Sequence, residues 1–310
     1  MAKDNHHFVS QGYLRGFTIE GEKSLIWEYD KETGSISHQP RSVREICSEH
    51  HYYAQKRDDG SVDNESMENA FHEIEDKTPR VINSIEVGAT GKKVSLTDEQ
   101  RVILSFFAAI QLFRVPNFRD GVEEMHRKIV ESSLAEIVTQ DKQEGKLPPE
   151  VEELYERGGI NIEIEPSVSL EPMINLAQEG SAHLLKKVWH FATPADGMTF
   201  VTSDNPVYFQ APEEYRAQIR YGLGPMHPFS EVTIPLRKDL LLIFSPAVKF
   251  TPEQYELLNC TTVCLDKADT KNINMRTTLA AERYVYSSER SEALVRMVAK
   301  FKGTSQRLTV

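Results

Sequence analysis

The chain of 310 residues has few cysteines, no long apolar run and a deficit of positive charge. Its 3 cysteines cannot form the dense disulfide framework of small secreted domains, so we expect a reducing compartment. The longest nearly apolar stretch, Val102 to Phe113, is too short to span a bilayer, and the amino terminus lacks the apolar segment of a secretory signal. We therefore predict a cytoplasmic protein with no membrane partner.

The charge and the motifs that are missing exclude further classes. A formal charge of −11 argues against a basic surface that coats DNA, although it is compatible with a nuclease whose site differs from the average. Residues 88–93 resemble a phosphate-binding loop, but Glu86 stands where that loop needs its first glycine. No Gly-x-Ser-x-Gly motif is present. We predict no nucleotide cofactor and no serine nucleophile.

The order of the predicted elements indicates an α+β fold, because helices and strands segregate along the chain and do not alternate. Strand-rich N-terminal and C-terminal segments are expected around a central helical bundle. We predict a single domain over residues 1–310, with an N-terminal hairpin region (1–62), a helical core (63–193) and a strand-rich C-terminal region (194–310).

Particular elements follow from periodicity and turn residues. A hairpin is expected around the turn at residues 30–34, and a second strand at 51–54. The spacing of Thr97 and Gln100 is that of a capping box. Helices are predicted from residue 63, over 168–192 and from 252 to about 264, the last containing Cys260 and Cys264.

Four groups of polar residues could carry chemistry. His6 and His7 precede a short helix that Ser10 would cap, a position suited to a metal ligand or an anion site, although two hydrogen-bonded or surface histidines also explain them. Adjacent side chains of an extended segment point in opposite directions, so one histidine is expected to face a site. Glu68 and Glu75 share a helix ridge with His72. They could be metal ligands, an acid/base pair or a solvated charged flank.

The other two groups lie further along the chain. On the next helix, Gln111 and Arg114 enter the apolar face and need partners there, either a helix glutamate or a bound phosphate or carboxylate. Asp204 and Asn205 end a predicted strand before Pro206, where a carboxylate can bind metal or transfer a proton, and where turn residues are also ordinary.

These motifs together resemble the domain-of-unknown-function 4238 family, from His6 to Tyr286. The resemblance lies in the opening His-His-x-Val-x-Gln-x-Tyr-Leu-x-x-Phe, two helix glutamates, Gln-x-x-Arg-x-Pro, Thr-Ser-Asp-Asn-Pro and a late Asn before Ala-x-Arg-Tyr-Val-Tyr. Ser10 departs from the proline usual in that family. The resemblance implies no established activity, and it points to His6, His7, Gln11, Glu68, Glu75, Gln111, Arg114, Asp204, Asn205 and Asn274.

The leading hypothesis for function is a pocket that binds divalent metal, Mg²⁺ or Mn²⁺, and hydrolyses a phosphoester, with nucleic acid as one candidate substrate. The predicted catalytic residues are Glu68, Glu75, Asp204 and His7. The predicted metal ligands are His6, Glu68, Glu75 and Asp204. The predicted substrate-binding residues are Gln11, Gln111, Arg114, Asn205 and Asn274.

Two alternatives stay open. The same pocket could belong to a non-catalytic binding or regulatory module that recognises a small anionic ligand through Arg114, Gln11 and Asn205. The polar residues could instead form a buried structural network that joins the strand-rich ends to the helical centre. The oligomeric state is not predicted.

Overall fold

The computed structural model describes residues 5–57, 59–213 and 224–305. Its helices are α1 (Gln11–Leu14), α2 (Ser66–Ser84), α3 (Asp98–Phe113), α4 (Pro116–Gln143), α5 (Pro149–Glu156), α6 (Leu170–Leu185), α7 (Pro252–Leu258), α8 (Lys267–Ala280) and α9 (Glu292–Lys300). Its strands are β1 (Asn5–His7), β2 (Leu25–Asp30), β3 (Ser35–Ile36), β4 (Arg41–Ser42), β5 (Ser48–His50), β6 (Gln55–Lys56), β7 (Val62–Asp63), β8 (Val188–Thr193), β9 (Thr202–Ser203), β10 (Tyr208–Gln210), β11 (Glu231–Arg237), β12 (Leu240–Ser245), β13 (Thr261–Cys264) and β14 (Tyr284–Ser287).

Two five-stranded sheets form the β part of the fold. One has the order β10-β11-β12-β8-β13, in which β13 pairs with β8 in parallel and the other pairs are antiparallel. The other has the order β3-β2-β14-β9, with β4 also paired to β2. Because β2 comes from the N-terminal region and β14 from the C-terminal region, the two ends of the chain share one antiparallel sheet.

Helix α3 lies at the centre of the helical part and packs against α6 and α2. Its first turn is closed by the predicted capping box, in which the Thr97 hydroxyl accepts from the N–H of Gln100 at 3.2 Å and the Gln100 side chain accepts from the N–H of Thr97 at 2.9 Å. Gly180 of α6 sits against Ala109 and Phe113, where a Cβ would be 3.4 Å from both side chains. This close approach buries nearly all of the second half of α3.

The predicted α+β class is confirmed, as are the hairpin β2–β3 and the capping box. Three element predictions are wrong. The helix expected to reach residue 192 ends at Leu185 and is followed by β8, so the region 63–193 is not wholly helical. The helix expected to reach residue 264 ends at Leu258, and both cysteines lie outside it. The strand expected at 51–54 is a turn.

Backbone geometry explains two of these differences. Cys260 has a φ of 58° and His51 a φ of 55°, both in the left-handed region that neither a right-handed helix nor a strand can contain. Strand β8 has a different cause. It pairs on both sides and buries most of its residues on both faces, so apolar and polar residues do not alternate regularly along its sequence.

Across the described ranges, no helix combines the length and the apolar character needed to cross a membrane.

Candidate functional site

His6 and His7 lie in strand β1, which pairs antiparallel with β5, and both are buried. The ring of His6 stacks on Tyr53 with 5.6 Å between centroids, and its Nδ1 accepts the backbone N–H of Tyr53 at 3.0 Å. An Nδ1 that accepts a hydrogen bond carries no proton, so this contact selects a neutral His6. The carbonyl oxygen of His7 accepts from the Tyr53 hydroxyl at 3.2 Å.

Arg114 is a buried cation at the C-terminal end of α3. Its side chain is only 2% exposed, and its Nη1 donates to Oε1 of Glu75 at 2.7 Å. Its Nε donates to the Tyr53 hydroxyl at 3.0 Å, and its Nη2 donates to the His7 carbonyl. Burial alone would lower the pKa of Arg114, but the interactions with Tyr53 and Glu75 outweigh it and hold the pKa above its ordinary value. The guanidinium is therefore permanently charged.

Glu75 connects the buried residues around Arg114 to solvent, since its side chain is 25% exposed. Glu68 lies two turns earlier on the same face of α2 and is half-buried. Burial raises the pKa of Tyr53 to about 12. The positive charge and the hydrogen bond of Arg114 oppose this shift, and the negative charges of Glu75 and Glu68 add smaller contributions that raise the pKa. His72 is exposed and lies 3.8 Å from Asp76, on the outer side of the helix.

We call His6, His7, Tyr53, Glu75 and Arg114 the Arg114 centre. Two further predicted residues adjoin it. Gln11 begins α1, which rests on α2 because Gly12 lacks a side chain: a Cβ there would be 2.9 Å from Pro79 and 3.6 Å from the Glu75 carbonyl oxygen. Gln111 lies three residues before Arg114 on α3. Its side chain is fully buried, and neither Oε1 nor Nε2 has a hydrogen-bond partner among the described residues.

The other predicted site residues have structural partners of their own. The Asp204 carboxylate accepts the backbone N–H groups of Glu282, Arg283 and Tyr284, each at 2.8 Å. The Asn274 side chain accepts from the N–H of Val201 at 3.1 Å and donates to the carbonyl oxygen of Thr199 at 2.9 Å.

Asn205, also buried, is held by main-chain bonds to Ser203. Within the part of the chain that the structure describes, no hydrogen bond or ion pair joins Asp204, Asn205 or Asn274 to the Arg114 centre. The structure thus brings together His6, His7, Glu75 and Arg114, with Gln11, Glu68 and Gln111 adjoining. The roles predicted for Asp204, Asn205 and Asn274 in catalysis and substrate binding stay predictions.

A divalent metal needs several oxygen or nitrogen ligands that converge on one point. Residues 5–57, 59–213 and 224–305 contain no group of three or more His, Cys, Asp or Glu side chains arranged to hold a metal ion. The predicted binding of Mg²⁺ or Mn²⁺ by His6, Glu68, Glu75 and Asp204 stays a prediction.

A second group of buried charges, beside Asp204, was not predicted from the sequence. Burial lowers the pKa of Lys31 to about 8, and its Nζ donates to the carbonyl oxygens of Ala281 at 2.5 Å and Thr304 at 2.6 Å. Burial and the nearby charge of Asp204 raise the pKa of Glu282 to about 8. Lys31 sits in the turn of a hairpin, where lysine is ordinarily solvated, so the sequence carries no signal for its burial.

Comparisons with known proteins give one match. The family described as "Protein of unknown function (DUF4238)" matches residues 5–291, in agreement with the predicted resemblance. No curated protein and no solved structure matches the chain.

Proposed function

Because the chain belongs to the DUF4238 family, which is described as having no known function, we propose its function from the Arg114 centre: it binds a small anionic molecule there. The observation that carries this proposal is the fully buried side chain of Gln111, whose amide oxygen and nitrogen both lack partners in the described residues. Burying an amide without hydrogen bonds costs on the order of 1–3 kcal/mol, so a bound molecule that completes those bonds is stabilised by the site.

The chemistry of the ligand follows from the donors and acceptors that remain. A guanidinium carries five N–H groups, and the bonds to Tyr53, His7 and Glu75 account for three of those on Arg114. The remaining N–H groups and the Gln111 amide N–H₂ suit an anionic oxygen. The Gln111 amide oxygen needs a donor in return. We infer a ligand that carries both a phosphate or carboxylate group and a hydroxyl or N–H group.

Binding explains the geometry better than metal-dependent hydrolysis does. Metal-dependent hydrolysis needs several converging ligands, and the described residues contain no group of three or more His, Cys, Asp or Glu arranged to hold a metal ion, whereas Arg114 and Gln111 offer N–H groups to an anion without one. Glu75 already neutralises Arg114 and fixes the direction of its guanidinium. We assign Glu75 the role of orienting Arg114 for the ligand. Phosphoester hydrolysis stays a prediction, and the hydrolysis assay described below tests it.

The test is a thermal-shift titration of the whole protein with inorganic phosphate, ribose 5-phosphate and adenosine 5′-monophosphate. A ligand at a hundred times its Kd stabilises the folded state by about 2.7 kcal/mol, which raises the Tm by a few degrees. We expect a rise with at least one phosphate that also carries hydroxyl groups. In the Gln111→Met variant the rise is lost, while the Tm without ligand stays equal or increases because an unmatched amide becomes apolar.

Gln178→Leu is the matched control, since Gln178 is an exposed glutamine on the neighbouring helix α6. It should keep the full shift. A lower Tm of Gln111→Met without ligand, together with no shift of the wild type, would instead favour a structural network closed by water. Hydrolysis of a DNA or bis(p-nitrophenyl) phosphate substrate with Mg²⁺ or Mn²⁺, lost in Glu68→Ala, would favour the enzyme hypothesis.

A further inference from the structure

A cavity lies away from the Arg114 centre, between helices α8 and α9 and the segment that leads into β9. Its volume is about 730 Å³, within the range of small-molecule sites. Asn274 fixes one wall, because its side chain bonds to the backbone of Thr199 and Val201, which also line the cavity. The wall is thus held by hydrogen bonds before any ligand binds.

The inner surface of the cavity is apolar. Leu294 and Val201 are buried, and Met275, Met297 and Phe301 complete this surface. Met275 remains 37% exposed, although it is a large apolar side chain. Methionine side chains adapt their shape to an apolar guest, so this surface suits a flexible alkyl chain or an aromatic ring.

The rim of the cavity is positively charged, in contrast to the chain as a whole. Lys271, Arg296 and Lys300 line it, against one acidic residue, Glu289. The whole chain carries a net charge of −11, so three cations beside one acid is a local reversal of sign. No ion pair joins any of the three cations to another residue in the described ranges. Their charges are therefore available to an anionic head group.

Helical spacing puts cations and apolar residues side by side. On α9, Arg296, Met297 and Lys300 lie three, four and seven residues after Ala293, which is one face of the helix. On α8, Lys271 and Met275 are four residues apart. We propose that this cavity binds an amphipathic small-molecule anion, with its alkyl or aryl body on the methionines and its single anionic head between the rim cations.

The probe for this cavity is 8-anilinonaphthalene-1-sulfonate, which joins an aromatic body to one sulfonate. The wild type is expected to bind one molecule with a saturable rise in fluorescence. Ala293→Phe places a ring in the cavity from an exposed position on α9, and we expect at least about a tenfold rise in Kd. Lys271→Gln and Arg296→Gln should each raise Kd by about two- to fivefold, the range for exposed charge pairs.

Two controls separate this site from other causes. Lys267→Gln removes an exposed cation from α8 that does not line the cavity, and Gln111→Met alters the Arg114 centre; both should bind the probe as the wild type does. Dodecanoate should displace the probe, and dodecyltrimethylammonium, with the same tail and the opposite charge, should not. Equal displacement by both would overturn the assignment of an anion. Unchanged probe binding by Ala293→Phe, or no saturable binding by the wild type, would overturn the site itself.

Discussion

Arg114 owes its position to three acceptors that come from different parts of the chain, and only one of them, Glu75, carries a formal charge at neutral pH. A buried cation without its counterion is costly, because the interior solvates charge poorly. The sequence left two partners open for Arg114, a helix glutamate or a bound anion. The structure supplies the glutamate, and the proposed ligand takes the N–H groups that remain.

Glu75→Gln should therefore destabilise the protein by about 2 kcal/mol. That is less than the 3–5 kcal/mol typical when a fully buried pair loses one partner, because Glu75 is one-quarter exposed and water replaces part of its charge. Urea unfolding at pH 7 measures the change. The matched control is Glu73→Gln on the same helix, whose solvent-exposed pair with Lys77 should change the stability far less. Equal losses in both variants would show that Glu75 does not balance the Arg114 charge.

Glu282 makes the stability depend on pH. Its pKa is about 8 in the folded protein and near 4.5 when unfolded, so between these values the folded state binds the extra proton. Stability from this group is therefore complete below about pH 4.5 and falls as the pH rises through 8. The acidic groups that face it are Asp204, Asp120 and Glu49, with Lys31 as the nearby cation.

We expect the wild type to lose roughly 2–4 kcal/mol more than Glu282→Gln between pH 5 and pH 8. Urea unfolding at pH 5, 6.5 and 8 gives the difference. The range stops at pH 8 because Lys31 acts in the opposite sense above it: its pKa falls from 10.5 to about 8 on folding, so deprotonation there favours the folded state. Glu124→Gln, an exposed residue on the same cavity as Glu282, should follow the wild type. Parallel curves for wild type and Glu282→Gln would contradict the prediction.

At the scale of elements, Asp204 connects strand β9 to the start of β14. Its carboxylate takes the three backbone N–H groups that follow α8, where the chain turns into β14. Burial raises the pKa of Asp204, and these hydrogen bonds oppose the shift by favouring the charged form. The position at a strand end was predicted from the sequence, whereas its use to hold a turn depends on residues almost eighty positions later.

Asp204→Ala should cost about 3 kcal/mol or more, because three N–H groups lose their acceptor and each unmatched buried donor costs about 1–3 kcal/mol. Hydrogen exchange gives a local measurement: the amides of residues 282–284 should exchange faster, while those of α3 keep their protection. Asn205→Ala is the control, since the bonds that hold Asn205 come from its main chain and survive the change. Unchanged exchange at 282–284 would show that Asp204 does not organise this turn.

Elements whose structure is determined by residues close together in the sequence were predicted correctly. The capping box at Thr97 and the turn after β2 depend on residues within one element, and both are confirmed. Strands β8 and β13 depend on each other, since they form the parallel pair of their sheet across about seventy residues. Such a partner leaves no mark in local periodicity, so both segments were predicted as the ends of helices.

In the candidate site, too, residues marked by a local sequence pattern were predicted and residues that depend on distant partners were missed. The helical wheel of α3 predicted that Gln111 and Arg114 lie on its apolar face, and both are buried. Tyr53, which contacts both His6 and Arg114, was missed because its segment was predicted as a strand. The left-handed turn at His51 directs Tyr53 inward, and the only signal for it was the aromatic pair at residues 52–53.

At the scale of the whole molecule, one tyrosine links the two large sheets. The Tyr13 hydroxyl donates to the carbonyl oxygen of Pro235 in β11 at 2.7 Å and bonds to the Thr202 hydroxyl in β9 at 2.7 Å. The main cluster of buried apolar residues extends from Phe8 to Tyr286 and includes members of both sheets and of the helices between them. These contacts favour the predicted single domain over residues 1–310, because the main core is shared by both sheets, although each sheet also packs a smaller buried cluster of its own.

The two tryptophans allow a test of this unity, since Trp27 lies in β2 of one sheet and Trp189 in β8 of the other. Trp189 is buried and donates to the Leu184 carbonyl oxygen at 2.9 Å, whereas Trp27 is half-buried under Arg290. In Trp189→Phe the fluorescence reports on the sheet that joins the chain ends, and in Trp27→Phe it reports on the other. A single domain predicts that in each variant the urea transition seen by fluorescence coincides with the one seen by far-ultraviolet circular dichroism. If the two sheets unfold separately, the fluorescence midpoint of at least one variant will depart from its dichroism midpoint, and the two sheets will have to be assigned to separate domains.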